Sequence, residues 1–300
     1  MLQLTLNFII KLFIFIIISS FSFLNAQELK MYQFYNQKGK QVYYEKVIND
    51  LKKYDVVLFG EHHNNSTNHW LQLQIAKDLY QTFKNNLVFG AEMFERDQQT
   101  ALNQYLNNLI NQDELSKHIK LWSNYKTDYK PIVDFAKSNH LQFIATNVPR
   151  RYAFTVSKDG IEKLYDLPET EKKWMVKLPY PIDYNAPGYP EMIKMIDDHA
   201  GTKAKQFVLA QAIKDATMAE SIVNNWKKDQ LFFHINGDYH SKNFGGIYWY
   251  LKLYHPDLKV AVIQILESSN RDLILKKEDV KNFIFTQFTL VLPEDTIKTY

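Results

Sequence analysis

Two short segments carry residue types that can do chemistry together. Gly60-Glu61-His62-His63 and Gly237-Asp238-Tyr239-His240 each set a histidine three residues after a glycine, with a carboxylate between them. Imidazole plus carboxylate is the ligand set of zinc, manganese, cobalt or iron, and a chain without cysteine has no thiolate alternative. A metal held there could polarise an acyl oxygen, or lower the pKa of a bound water to about 7 and so make hydroxide available near neutral pH. Glu61 or Glu92 could then be a ligand or a general base. The bland reading of a single Gly-x-x-His is a turn; two copies, each directly after an apolar run, mark a site. The glycine in each is expected to let the backbone bend sharply and bring the side chain over the sheet edge.

The apolar runs that must position these residues are Val56 to Phe59, Leu87 to Ala91, Gln142 to Ala145, Leu231 to Ile235 and Val260 to Ile263. Each is short, nearly continuous and rich in β-branched or aromatic residues, as a parallel strand covered on both faces requires. Segments of helical period lie between them, at Trp70 to Phe83, Pro131 to Lys137 and Phe207 to Trp226, so the fold class is α/β with helices on both faces of a mostly parallel sheet. Phe283 to Leu292 is apolar enough for one more strand, read as an edge strand of open direction. Residues from about 160 to 202 hold Pro168, Pro179, Pro181, Pro187 and Pro190 and read as an inserted lid over the sheet.

In such sheets the ligand crevice lies outside the carboxyl ends of the strands. Glu92, with Glu95-Arg96-Asp97 behind it, follows the second run; Asn147-Val148-Pro149-Arg150-Arg151 follows the third, and Glu267 the fifth. Arg150 and Arg151 are candidates to bind a substrate or haem carboxylate through two parallel hydrogen bonds, or equally to close a strand end in a salt bridge. His62, His69 and His140 read as surface or helix-start residues, and His118, His199 and His255 as structural. On the helix through Asp215 to Glu220, Met218 faces the core by period and the stretch reads mainly as packing, although Asp215 and Glu220 could reach a neighbouring site.

Leu2 to Ala26 carries one charged side chain, Lys11, and a run of isoleucines and phenylalanines ending in small residues. It reads as a secretory signal peptide cut after Ala26, which leaves residues 27–300 as one domain; an uncleaved membrane anchor is the rival reading. Without cysteine the exported chain has neither a disulfide framework nor a lipid anchor through cysteine and must rely on a core. Aromatic and charged fractions of 15% and 23% are globular values. A formal charge of +3, with no basic cluster longer than Arg150-Arg151 or Lys172-Lys173, makes nucleic acid a poor partner.

Five blocks in order resemble one family. Val57-Leu58-Phe59-Gly60-Glu61-His62-His63, Ala91-Glu92-Met93-Phe94-Glu95-Arg96-Asp97, Ala145-Thr146-Asn147-Val148-Pro149-Arg150-Arg151, Asp215-Ala216-Thr217-Met218-Ala219-Glu220 and Gly237-Asp238-Tyr239-His240 are similar to the blocks of ChaN-like proteins. These are the haem-binding uptake group of the Tiki superfamily, which also includes erythromycin-esterase-like enzymes and Tiki proteases. The resemblance implies a three-layer α/β/α sandwich with a helical lid insertion and a site at Glu61, His63, Glu92 and His240. In the ChaN branch it implies haem binding tied to iron uptake at the bacterial envelope, with two haems able to stack between two subunits and an envelope haem receptor as partner. In the hydrolytic branches it implies those four residues as the catalytic or metal-binding set of an esterase or peptidase. ChaN proteins are commonly lipoproteins; lacking a lipidation cysteine, this chain is expected to be soluble in the periplasm or secreted.

Overall fold

The computed structural model describes residues 29–300 apart from 201–203, 277 and 279. The expected signal peptide and its cut after Ala26 lie outside the described residues. Helices α1 (Tyr44–Leu51), α2 (Ser66–Phe83), α3 (Gln99–Leu106), α4 (Gln112–His118) and α5 (Lys130–Ser138) come in the first half of the chain. Then follow α6 (Arg150–Asp159), α7 (Glu169–Lys172), α8 (Tyr189–Ala200), α9 (Ala204–Asn225) and α10 (Gly246–Tyr254). The strands are β1 (Gln33–Asn36), β2 (Gln41–Val42), β3 (Val56–Glu61), β4 (Leu87–Glu95), β5 (Phe143–Asn147), β6 (Leu231–Gly237), β7 (Val260–Ser268) and β8 (Phe288–Pro293). They form one sheet in the order β2-β1-β8-β7-β3-β6-β4-β5.

All five apolar runs are strands, and from β8 to β5 every pairing is parallel. Their side chains alternate between two cores. Val57, Phe59, Phe89, Phe233 and Ile263 face one core with Leu71, Ile75 and Leu79 of α2 and Ile132 and Val133 of α5. Val56, Leu58, Val88, Phe232 and Val262 face the other with Val208, Ile213, Met218 and Ile222 of α9 and Tyr250 and Leu251 of α10. Met218 therefore packs as its period indicated. The two-sided burial explains why β3 has no polar alternation: all six of its residues are buried.

The strand expected near the C-terminus is β8, and it is not an edge. It lies parallel to β7 and is covered on its other side by β1, antiparallel, which pairs in turn with β2. This hairpin went unread because β2 is two residues long, too short for any periodic signal. The proline-rich stretch holds α7 and α8 with irregular chain between, and its Tyr180, Ala186, Tyr189 and Met192 join the second core. The chain passes from β3 to β4 on one side and from β6 to β7 on the other, so the direction of connection reverses between the neighbours β3 and β6, and the carboxyl ends of β3, β6 and β4 lie together there.

Candidate functional site

At the end of β3 the Glu61 side chain turns inward and is fully buried. Its Oε1 accepts from His63 Nδ1 at 2.9 Å and from the Tyr129 hydroxyl at 2.6 Å, while Oε2 accepts from Gln72 Nε2 at 2.6 Å. His69 lies 3.5 Å from the same Oε2. Burial works against the charge of Glu61, yet His69 and His63 outweigh it and hold its carboxyl below the usual range. The turn that carries His63 is shaped by Asn65, which caps α2 by accepting from the amides of Thr67 and Asn68. The His63 carbonyl accepts from His69 Nε2 at 3.0 Å and from Asn124 Nδ2 at 2.8 Å. Ring and backbone of His63 are thus both fixed, although 34% of its side chain remains exposed.

A second unit forms where β6 and β4 end. His240 donates from Nε2 to Glu92 Oε1 at 3.1 Å and from Nδ1 to Asp215 Oδ1 at 2.5 Å. Asp215 comes from α9 and takes the Tyr189 hydroxyl of α8 on its other oxygen at 2.8 Å. Glu92 Oε2 accepts the Gly237 amide at 2.7 Å, and the Gln211 side-chain amide lies 2.8 Å from His240 Nδ1. Burial opposes a charge on His240, but Glu92 and Asp215 on its two nitrogens overcome this and push it up to about 9. Burial likewise opposes ionisation of Glu92, and the His240 charge holds its carboxyl well below the usual range. Asp215 is pulled both ways, up by burial and down by the bond to His240, and burial prevails. The direction that stands is at the imidazole, because Glu92 supplies a second carboxylate whatever Asp215 does.

The two units meet at Gly237. A Cβ there would sit 2.8 Å from His63 Cε1 and 2.9 Å from His63 Nε2, so the absence of a side chain lets the imidazole of the first unit lie against the strand end that carries the second. Gly60 serves the same purpose on the other side, where a Cβ would approach Asp238 Oδ1 to 2.6 Å. The expected reason for these glycines, a sharp bend, is corrected: Gly237 has φ −55° and ψ 141°, open to any residue, and what both positions require is room. Asp238 accepts from the Ile265 amide at 3.1 Å, and burial pushes it up to about 6.

Glu61, His63, Glu92 and His240 are therefore neighbours, as the strand-end argument expected, but as two hydrogen-bonded units. Among the described residues no group of three or more His, Asp or Glu side chains is arranged to hold a metal ion. Both nitrogens of His240 point at carboxylates and Glu61 is encircled by donors, so this donor set does not fit a shared metal. Arg151 pairs with Asp97 at 2.6 Å and lies over the Tyr152 ring, while Arg150 is exposed at the start of α6; neither joins the network. His62 pairs with Glu267 at 3.2 Å. His69 lies in the first turn of α2, in keeping with its reading as a helix-start residue, but its reading as a surface residue is corrected, since it is buried and bridges Glu61 to the His63 carbonyl. Asp215 follows the second reading of its helix: it reaches the neighbouring site and pairs with His240. Gln72, Tyr129, Tyr189 and Gln211 went unread because amides and phenols on helices give no pattern; the carboxylate of Asp215 among Val208, Ala212 and Ile222 was the one available signal.

Fold and site together define an α/β protein with paired histidine–carboxylate units at its central strand ends. The chain belongs to the family described as "Haem-binding uptake, Tiki superfamily, ChaN", whose model matches residues 47–251. It is similar in fold to a solved structure of cofacial haem binding to ChaN of Campylobacter jejuni, with a TM-score of 0.66, 17% identity, and coverage of 87% of this chain and 96% of that one. A more remote likeness is to an erythromycin esterase mutant in its open conformation, with a TM-score of 0.44 and 12% identity over 79% of this chain and 77% of that one. Among curated proteins it is similar to Protein RETICULATA-RELATED 5, chloroplastic, of Arabidopsis thaliana, 27% identical over 142 residues, 45% of this chain. The chain spans 18% of the length of that relative.

Proposed function

We propose that this protein binds haem against the outward face of His63. The observation that carries the reading is the contrast within the site: in a chain of the haem-binding uptake family, His63 is the partly open member of a network otherwise buried. A carboxylate on Nδ1 fixes the tautomer and orientation of an imidazole and raises its basicity, the arrangement that equips histidine for a metal centre. Trp122 stands edge-on to His63 with ring centroids 4.9 Å apart and offers apolar surface beside it. Arg150, exposed at the start of α6, pairs with a propionate. When bound, haem supplies an iron centre and a flat apolar macrocycle; the protein contributes His63, its backing Glu61 and the positive charge of Arg150.

Export of the chain, a role in iron acquisition and a pair of copies meeting over stacked haems belong to the same proposal. They are supported by the apolar N-terminal segment and the family. Among the described residues no helix is long and apolar enough to cross a membrane. The test is titration of haemin into the purified protein, followed in the Soret region, with His63→Ala alongside. A saturable spectral change that His63→Ala weakens tenfold or more supports the reading; equal binding by both proteins sinks it.

His240 favours a second reading. A charged imidazole buried between two carboxylates is not needed to hold a porphyrin and is costly in desolvation. It fits metal-free acid–base hydrolysis, in which His63 takes a proton from water at its imidazole and Glu61 steadies the ring, while the buried His240 unit holds Glu92 and the Gly237 strand end in place. Turnover of a chromogenic ester, lost in His63→Ala and unaffected by chelator, decides for it; no turnover by the parent decides against.

A further inference from the structure

We infer that the chain segment Ile297–Thr299 is part of the site, with Thr299 acting as a positioning residue for His63. The inference rests on His63 being the group that meets the ligand. The segment lies along the turn that carries His63. Lys298 bridges Asn65 in antiparallel fashion, the Thr299 amide donates to the Asn64 carbonyl at 2.9 Å, and Ser66 donates from its hydroxyl to the Ile297 carbonyl at 3.0 Å. Lys298 also reaches Glu267 at 2.6 Å, on the same oxygen that faces His62 at 3.2 Å.

What separates this from a packed terminus is where the Thr299 side chain, half-buried, makes its contact. The Thr299 hydroxyl donates to Asp128 Oδ2 at 2.7 Å. Asn124 donates to that same oxygen at 2.6 Å and to the His63 carbonyl at 2.8 Å. His69 lies 3.4 Å from it through Nε2, and the same nitrogen lies 3.0 Å from the His63 carbonyl; its Nδ1 lies 3.1 Å from Gln72 Oε1, and Gln72 holds Glu61. Asp128, Asn124, His69 and Gln72 are all buried. A hydrogen-bonded path therefore runs from Thr299 to both supports of His63, its carbonyl and its carboxylate.

Apolar burial does not hold the segment down, since Ile297 is 78% exposed and Tyr300 63% exposed. Its polar bonds are aimed at the site turn, and a segment held in this way opens at low cost relative to the core. The phenol of Tyr300, next in the chain, is pushed up by partial burial and by the charges of Glu61 and Asp128.

The test compares the full chain with Thr299→Val and Thr299→Ser at one pH. Two readouts are followed, the imidazole ring signals of His63 and His69 by NMR and haemin affinity in the Soret region. Valine is expected to move both sets of ring signals and to weaken haemin about three- to tenfold, the worth of one part-buried hydrogen bond; serine is expected to restore both. A chain ending at Asp295 is expected to match or exceed the valine effect and to speed amide exchange at Asn65 and Ser66. Ring signals unchanged in valine, or not restored by serine, overturn the positioning role. If the ring signals move as expected while the parent itself fails to bind haemin, the haem reading falls and the positioning role stands.

Discussion

The site holds two histidines in carboxylate company, and they are held in different ways. His63 has one carboxylate on one nitrogen, a partly exposed ring and a backing group, Glu61, that also accepts from Tyr129 and Gln72. His240 has a carboxylate on each nitrogen and is buried with both of them. In the first unit the carboxylate keeps its partners when the imidazole leaves; in the second, each charge depends on the others. The first can thus change state during function, whereas the second is a fixed charge that the fold must keep intact. Gly237 is where the two touch.

The sharpest way to break this comparison is to remove a carboxylate from the buried unit. Asp215→Ala leaves His240 with Glu92 alone and strips the Tyr189 hydroxyl of its acceptor. Breaking a buried ion pair from one side costs about 3–5 kcal/mol, so chemical denaturation should show a loss of that size. A loss below about 1 kcal/mol would mean that His240 is not a locked charge.

The charge on His240 should also appear as pH dependence. Its folded value near 9 lies above the ordinary 6.5, so its contribution is complete below pH 6.5 and is lost as the pH climbs toward 9. At about 1.4 kcal/mol per pH unit the total is about 3 kcal/mol. Unfolding free energy measured from pH 6 to 10 should fall across that window, and His240→Gln should flatten it. Asp238 supplies an internal contrast. Raised to about 6 from 3.8, its contribution is complete below pH 3.8 and gone above pH 6, so Asp238→Asn flattens the acid window only.

Between the units, Gly237→Ala places a methyl where the His63 ring lies. Overpacking of this kind costs about 1–3 kcal/mol, and the ring signals of His63 should move more than those of His240. Equal displacement of both would show that the units do not meet at this glycine.

The parallel core strands were legible because burial on both faces leaves a continuous apolar run, which β3, β4, β6 and β7 all show. β8 was legible as a strand but not in its place, since its neighbour β1 belongs to a hairpin whose second strand is two residues long. Of the site, the residues at or just beyond the carboxyl ends of the apolar runs could be read, because parallel strand ends share a direction. Asp215 could be read only as one of two readings of its helix, and His69, Gln72 and Tyr129 not at all: they reach the same strand ends from helices or a helical turn, and a polar side chain on a helix has the same spacing whether it meets solvent or a buried carboxylate. The contact of Thr299 with Asp128, 171 positions away, is a matter of tertiary structure alone.

The smallest expected stability change tests the open unit. In His63→Ala, Glu61 still accepts from Tyr129 and Gln72 and still has His69 within 3.5 Å, so no buried charge is stranded. The His63 ring is partly solvated and leaves little cavity, which places the change within about 1 kcal/mol. The same substitution removes the imidazole against which haem is proposed to bind, so affinity should fall steeply while the melting temperature scarcely moves. That separation of binding from stability is what distinguishes a working group from a fixed one. If His63→Ala instead unfolds the protein as Asp215→Ala should, both histidines are structural, and the contrast between an open and a locked unit fails.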